Sequence, residues 1–179
     1  RLAREATLSA KQMALEDVYG RLRRHLLTTA VADGDGTSMI VWQSNGQDGG
    51  GWGIYGQMFD ATGAKSGSEF RINTTTATDQ TNPDIGGDEF GDFVVAWTTN
   101  PGSGNKHDVL AQRIAYTGAK LGGEIALAQT TTDEQTDVAI AVRPYGDFVA
   151  TWQSARQDDG SSWGIYARQF GADGTARGG

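Results

Sequence analysis

Cysteine is absent from this chain, which removes disulfide frameworks and thiolate metal sites together. No apolar run approaches the roughly 18 residues that a membrane-spanning helix needs, so no membrane span is expected. Histidine occurs only as His25 and His107. Neither has a serine, aspartate or metal-ligand partner at a patterned spacing. Phosphate-cradling loops of the Walker or Rossmann kind are also missing. Paired carboxylates for glycoside chemistry cannot be named from spacing alone. These absences together lead to the expectation that the chain is not an enzyme. No signal peptide is visible, and the sequence begins at Arg1, which reads as a processed or partial chain.

Basic charge is scarce outside the first segment. Residues 1–27 carry six basic and three acidic side chains, leaving 9 basic and 19 acidic for the remainder of a chain of net charge -7. An acidic body lacks the basic footprint that a nucleic-acid backbone requires, so no nucleic-acid partner is expected.

The basic segment itself reads as an amphipathic helix over residues 1–27. Leu8, Leu15, Val18, Tyr19, Leu22 and Leu26 recur at helical spacing and form one apolar stripe. Such a stripe needs a surface to cover. Leu15, Val18, Leu22 and Leu26 are the candidate assembly residues, with packing on the same chain as the plainer alternative. The partners expected on this reading are other copies of the chain or neighbouring repeats.

The rest of the chain, residues 28–179, repeats itself. Trp42, Trp97 and Trp152 stand 55 residues apart, each closing a short apolar run such as Gly91-Asp92-Phe93-Val94-Val95-Ala96-Trp97. Self-similarity at a fixed period marks repeated supersecondary units. The repeats run over about 28–82, 83–137 and 138–179. Each contains a first strand (Pro83-Asp84-Ile85 or Val138–Val142), a glycine-bearing turn and the tryptophan strand. A third strand follows, Trp52–Phe59, Asp108–Ile114 or Trp163–Phe170, and then a fourth, Glu69–Asn73 or Glu124–Ala128. The second strand is apolar at alternate and intervening positions alike, so it should be covered on both faces. Four short antiparallel strands per repeat is the content of a propeller blade. The expected fold is therefore mainly β: an N-terminal helix followed by three blade-like antiparallel repeats, the last incomplete. A β-sandwich or an open stack of sheets fits the same strand count.

The string Val41-Trp42-Gln43-Ser44, Gln47-Asp48-Gly49 and Gly53-Ile54-Tyr55-Gly56-Gln57-Met58-Phe59-Asp60-Ala61-Thr62-Gly63 resembles a repeat of large secreted bacterial proteins, the RTX-type and other calcium-associated adhesins and surface proteins. Glu69–Thr76 and Asp79-Gln80-Thr81-Asn82-Pro83 continue it, so the resemblance covers residues 28–179. It implies a non-enzymatic, self-associating structural or adhesive module at the bacterial cell surface or outside the cell. The middle repeat departs from the pattern, with Pro101–His107 between its second and third strands.

Two ligand readings accompany this one. Trp52, Tyr55, Trp163 and Tyr166 flank the polar loops of the first and third repeats, where exposed aromatics stack on sugars; this is the lectin alternative. Asp48, Asp158 and Asp159 lie in glycine-rich loops and are the candidate ligands for calcium, a hard cation that takes 6–8 oxygens. Asp159-Gly160-Ser161-Ser162-Trp163 and its preceding Asp158 approximate the Asp-box of sialidase-like propellers, which keeps a glycosidase-like fragment as a weaker alternative.

Overall fold

A computed structural model describes residues 25–178 apart from 33, 35, 48, 101–105, 131, 132, 158, 159 and 161. The described chain contains twelve strands and no α-helix. They form three four-stranded antiparallel sheets, each built from consecutive strands in the order of the chain. The first sheet holds β1 (His25–Ala32), β2 (Ser38–Asn45), β3 (Trp52–Phe59) and β4 (Lys65–Arg71). In the second are β5 (Asp79–Gly87), β6 (Phe93–Asn100), β7 (Asp108–Ile114) and β8 (Lys120–Ala126). The third is made by β9 (Gln135–Val142), β10 (Phe148–Ala155), β11 (Trp163–Phe170) and β12 (Ala176–Arg177). The last strand is two residues long and pairs with Gln169 and Phe170.

The sheets stack as blades. Phe93, Val95 and Trp97 of β6 enter one core with Met39, Val41 and Ile54 of the first blade. The intervening Val94 and Ala96 enter a second core with Phe148, Ala150 and Trp152 of the third. Alternation along one strand thus feeds two interfaces, which is why every residue from Phe93 to Thr99 is buried. Blades approach one another through their first strands, β5 lying against both β1 and β9. A third cluster, Ile40, Trp42, Tyr55 and Phe59, is buried on the face of the first blade that points away from the second.

A β-bulge interrupts the first strand of every blade at the same place. The register shifts between Leu26 and Thr28, between Thr81 and Asp84, and opposite Thr151 and Gln153. Each shift lies beside the repeated tryptophan. Asn82 and Asp137, one repeat apart, take the extra residue at φ 54° and 52°. Asparagine and aspartate tolerate this left-handed region better than most side chains.

Three sequence-based expectations need correction. The helix was expected to run to residue 27, but His25, Leu26 and Leu27 belong to β1; the rest of it lies outside the described residues. First strands begin earlier than their apolar residues suggest, at Asp79 and Gln135, because buried polar side chains there find partners. Gln80, for example, accepts from Asn73 Nδ2 at 2.8 Å and donates to the Thr78 carbonyl. Fourth strands are likewise displaced towards the turn, at Lys65–Arg71 and Lys120–Ala126. They are polar outer strands, held by Gln57 and Gln112, whose amides donate to the carbonyls of Ser66, Gly67, Leu121 and Gly122.

Candidate active site

The loops between second and third strands lie at the same end of the blades as the starts of the first strands. At this end the middle blade differs from its neighbours in chemistry. Its loop finishes in Lys106, His107 and Asp108. Lys106 pairs with Asp133, and His107 Nδ1 stands 2.5 Å from Glu134 Oε2, both acids immediately preceding β9. Backbone bonds fix the junction: Gln135 N donates to the His107 carbonyl at 2.9 Å, and Ala155 N to that of Glu134 at 2.9 Å. The equivalent position one blade earlier is simpler, with Trp52 N donating to Asp79 Oδ1 at 2.8 Å. His107 therefore has a carboxylate partner that sequence spacing did not reveal, because the two residues meet only across a blade interface.

Asp108 is the first residue of β7 and is half-buried. On the alternation of β7 it shares a face with Leu110, which packs on the core between the first two blades, whereas His107 reaches the third. Burial pushes the Asp108 carboxyl above its ordinary value, against the opposing pull of His107. Its Oδ1 is enclosed without a hydrogen-bond donor among the described residues. Asp137 differs. It lies in the bulge of β9, is exposed, and accepts a long 3.3 Å bond from Thr136 Oγ1. Asp84, on β5, is occupied by the backbone N–H of Ile140 at 2.8 Å and so ties two first strands together. One end of the blades thus carries a carboxyl raised by burial, an exposed one, and a third paired with an imidazole. Carboxyls in unlike environments can divide acid and base roles between them.

The residues singled out from sequence are placed as follows. Trp52 is half-buried and Tyr55 is 5% exposed, directly across from Trp42 in the β2–β3 register. Trp163 is 54% exposed, whereas Tyr166 packs partly buried against the core that holds Trp152. Three residues apart on a strand means opposite faces, so neither pair forms one stacking surface. The two pairs also belong to the first and third blades, with the second between them. Asp48, Asp158 and Asp159 lie outside the described residues; among those described, no group of three or more His, Asp or Glu is arranged to hold a metal. Leu15, Val18 and Leu22 lie outside them as well, and Leu26 pairs with Gln43 in β1. Sequence reading also passed over Phe90 and Tyr145, 67% and 75% exposed at the opposite end of the blades. Their rings, 6.3 Å apart, stand over a cavity of about 240 Å³ that Arg113 also lines. Both precede a turn glycine and stand one repeat apart, and that recurrence of an aromatic residue in a turn was the available signal.

No family model matches the chain, and no curated protein matches it. Solved structures do. An endo-arabinase from Bacteroides thetaiotaomicron VPI-5482 superposes with a TM-score of 0.54 at 14% identity, over 84% of this chain and 59% of the enzyme. An alpha-L-arabinofuranosidase from Lactobacillus brevis gives 0.53 at 12% identity, over 87% of this chain and 55% of the other. The Fusarium graminearum GH93 alpha-L-arabinofuranosidase, bound to arabinobiose, gives 0.53 at 9%, over 82% and 46%. The fold is that of propeller-type glycoside hydrolases. This chain spans about half the length of the structures it matches.

The likenesses overturn two expectations, the non-enzymatic structural or adhesive module and the absence of enzyme activity. The proteins that share this architecture are named as glycan-cleaving enzymes. Repeat regularity describes the scaffold and is silent on chemistry, so it carries no argument against activity. Among the described residues no helix is long and apolar enough to cross a membrane.

Proposed function

We propose that this chain supplies three blades of a carbohydrate-active enzyme that hydrolyses glycosidic bonds. The observation that carries the reading is the set of carboxyls in unlike surroundings at one end of the blades: Asp108 raised by burial, Asp137 open to solvent, and Glu134 held against His107. Asp108 would donate the proton to the leaving oxygen. Asp137, on a first strand, would face the sugar as the second carboxylate or activate water. The names of the structural neighbours make arabinose- and xylose-containing polysaccharides the first substrates to try. A location outside the cell goes with this reading, because such polymers are too large to be taken up intact.

The test is release of reducing ends from linear arabinan and from arabinoxylan by the protein that contains this chain. Hydrolysis of one polymer, lost in Asp137→Asn with the circular-dichroism spectrum preserved, supports the reading. No release from either, or full activity in the variant, counts against it.

A further inference from the structure

The two occupied blade interfaces are built alike. In each, one blade presents small and aliphatic residues from its second and third strands. Val94, Ala96, Val109 and Ala111 of the second blade are 4%, 0%, 1% and 0% exposed under the third. The next blade answers with a phenylalanine and a tryptophan on its second strand, Phe93 and Trp97 or Phe148 and Trp152. A polar latch sits at the rim of each: Asp79 on the Trp52 backbone N–H, Glu134 on the His107 ring. Asp79 and Glu134 are one repeat apart, as are Trp52 and His107.

The outer face of the third blade carries the same receiving surface with nothing on it among the described residues. Val149 and Thr151 stand at the positions of Val94 and Ala96, and Ile165 and Ala167 at those of Val109 and Ala111. Ile165 is 75% exposed where Val109 is 1% exposed. Trp163, at the latch position, is 54% exposed. Bulky aliphatic side chains at this level of exposure, contiguous with small ones on a flat sheet, mark an interaction surface.

We propose that this face docks a further four-stranded repeat of the same kind. Its second strand would bring a phenylalanine and a tryptophan onto Val149, Thr151, Ile165 and Ala167. An acidic residue at the start of its first strand would accept the backbone N–H of Trp163. A second copy of this chain is not the occupant, because the phenylalanine–tryptophan faces of the second and third blades are already inside interfaces. The corresponding face of the first blade, with Trp42 and Phe59, is buried too.

The experiment compares the chain with a version that appends a copy of residues 124–179 after Gly179. That copy carries the fourth-strand residues Glu124–Ala126 and a blade bearing Phe148, Trp152 and Glu134 equivalents. Ile165→Lys in the original third blade is made in both backgrounds, and thermal unfolding is followed for all four proteins. The extended chain should melt at a higher temperature than the original. Ile165→Lys should remove that gain while leaving the original chain unchanged. Equal effects of the substitution in both backgrounds, or no gain on extension, would overturn the proposal. So would a concentration-dependent dimer of the original chain that Ile165→Lys dissociates in sedimentation, since the occupant would then be a second copy.

Discussion

Asn82 and Asp137 hold the same position in consecutive repeats, both with left-handed backbone, at φ 54° and 52°. Each sits in a bulge beside the repeated tryptophan, Trp97 or Trp152. A left-handed conformation costs roughly 1–2 kcal/mol for most L residues, and glycine escapes that cost. Asp137→Ala should therefore destabilise the fold by about 1 kcal/mol and Asp137→Gly by clearly less, as chemical denaturation will show. Both should lose hydrolysis. Activity that follows stability, falling in the alanine variant and surviving in the glycine one, would reduce Asp137 to a turn residue.

Asp108 gives a pH signature with a definite sign. Its folded-state value is raised by burial, so the folded protein holds more protons than the unfolded chain between the ordinary value of 3.8 and the raised one. Its contribution is most favourable at low pH, and stability falls as pH rises through that window. Asp108→Asn removes the titration. The variant should gain melting temperature relative to the parent at pH 7 and show little gain at pH 4. An unchanged difference across that range would mean that Asp108 is not desolvated.

Asp60 and Asp173 act in the opposite sense. Both are exposed residues of the turns that follow the third strands of the first and third blades, Asp60 opening its turn and Asp173 preceding the turn glycine, and each accepts a side-chain bond, from Thr62 or Thr175, at 2.6 Å. Those hydroxyls, with backbone N–H donors, hold the carboxyls below 3.8. The stability they contribute is present above the ordinary value and is lost as pH falls through the lowered one. The double variant Thr62→Val, Thr175→Val should lose melting temperature at pH 7 and little at pH 2. An equal loss at both would assign the threonines a packing role instead.

Gly86 controls the approach of the second and third blades. A Cβ there would meet Val142 Cγ2 at 2.6 Å, whereas one at Gly123 would meet nothing within 4 Å. Gly86→Val should cost about 1–3 kcal/mol through overpacking. Gly123→Val, on the outer strand β8, should be neutral or slightly stabilising in the same denaturation experiment. Equal effects would mean that the blades can slide apart without penalty.

Much of the architecture was legible because the chain repeats. Comparison of its own copies placed β3 and β11 residue for residue, and the apolar continuity of Phe93–Trp97 announced a strand between two cores. The buried polar positions were not legible, since Gln80 and Gln112 are held by bonds to Asn73, Thr78, Leu121 and Gly122, partners that apolar alternation does not register. The candidate site was the least legible part. His107 has no partner at a patterned spacing, and Glu134, 27 residues on, reaches it only when the third blade packs on the second. Trp52 and Tyr55 looked like one surface in sequence, but a strand turns them to opposite sides. The desolvation of Asp108 comes from tertiary burial, which no local pattern encodes.

The most direct measurement is the rate of linear arabinan hydrolysis by the protein carrying this chain and by its Asp108→Asn variant, both confirmed folded. A proton donor lost from the reaction should lower the rate about 100-fold or more, in a variant at least as stable as its parent. A variant that is stable and fully active would contradict the assignment. Failure of the parent to cleave this polymer and arabinoxylan would contradict the glycoside-hydrolase reading itself.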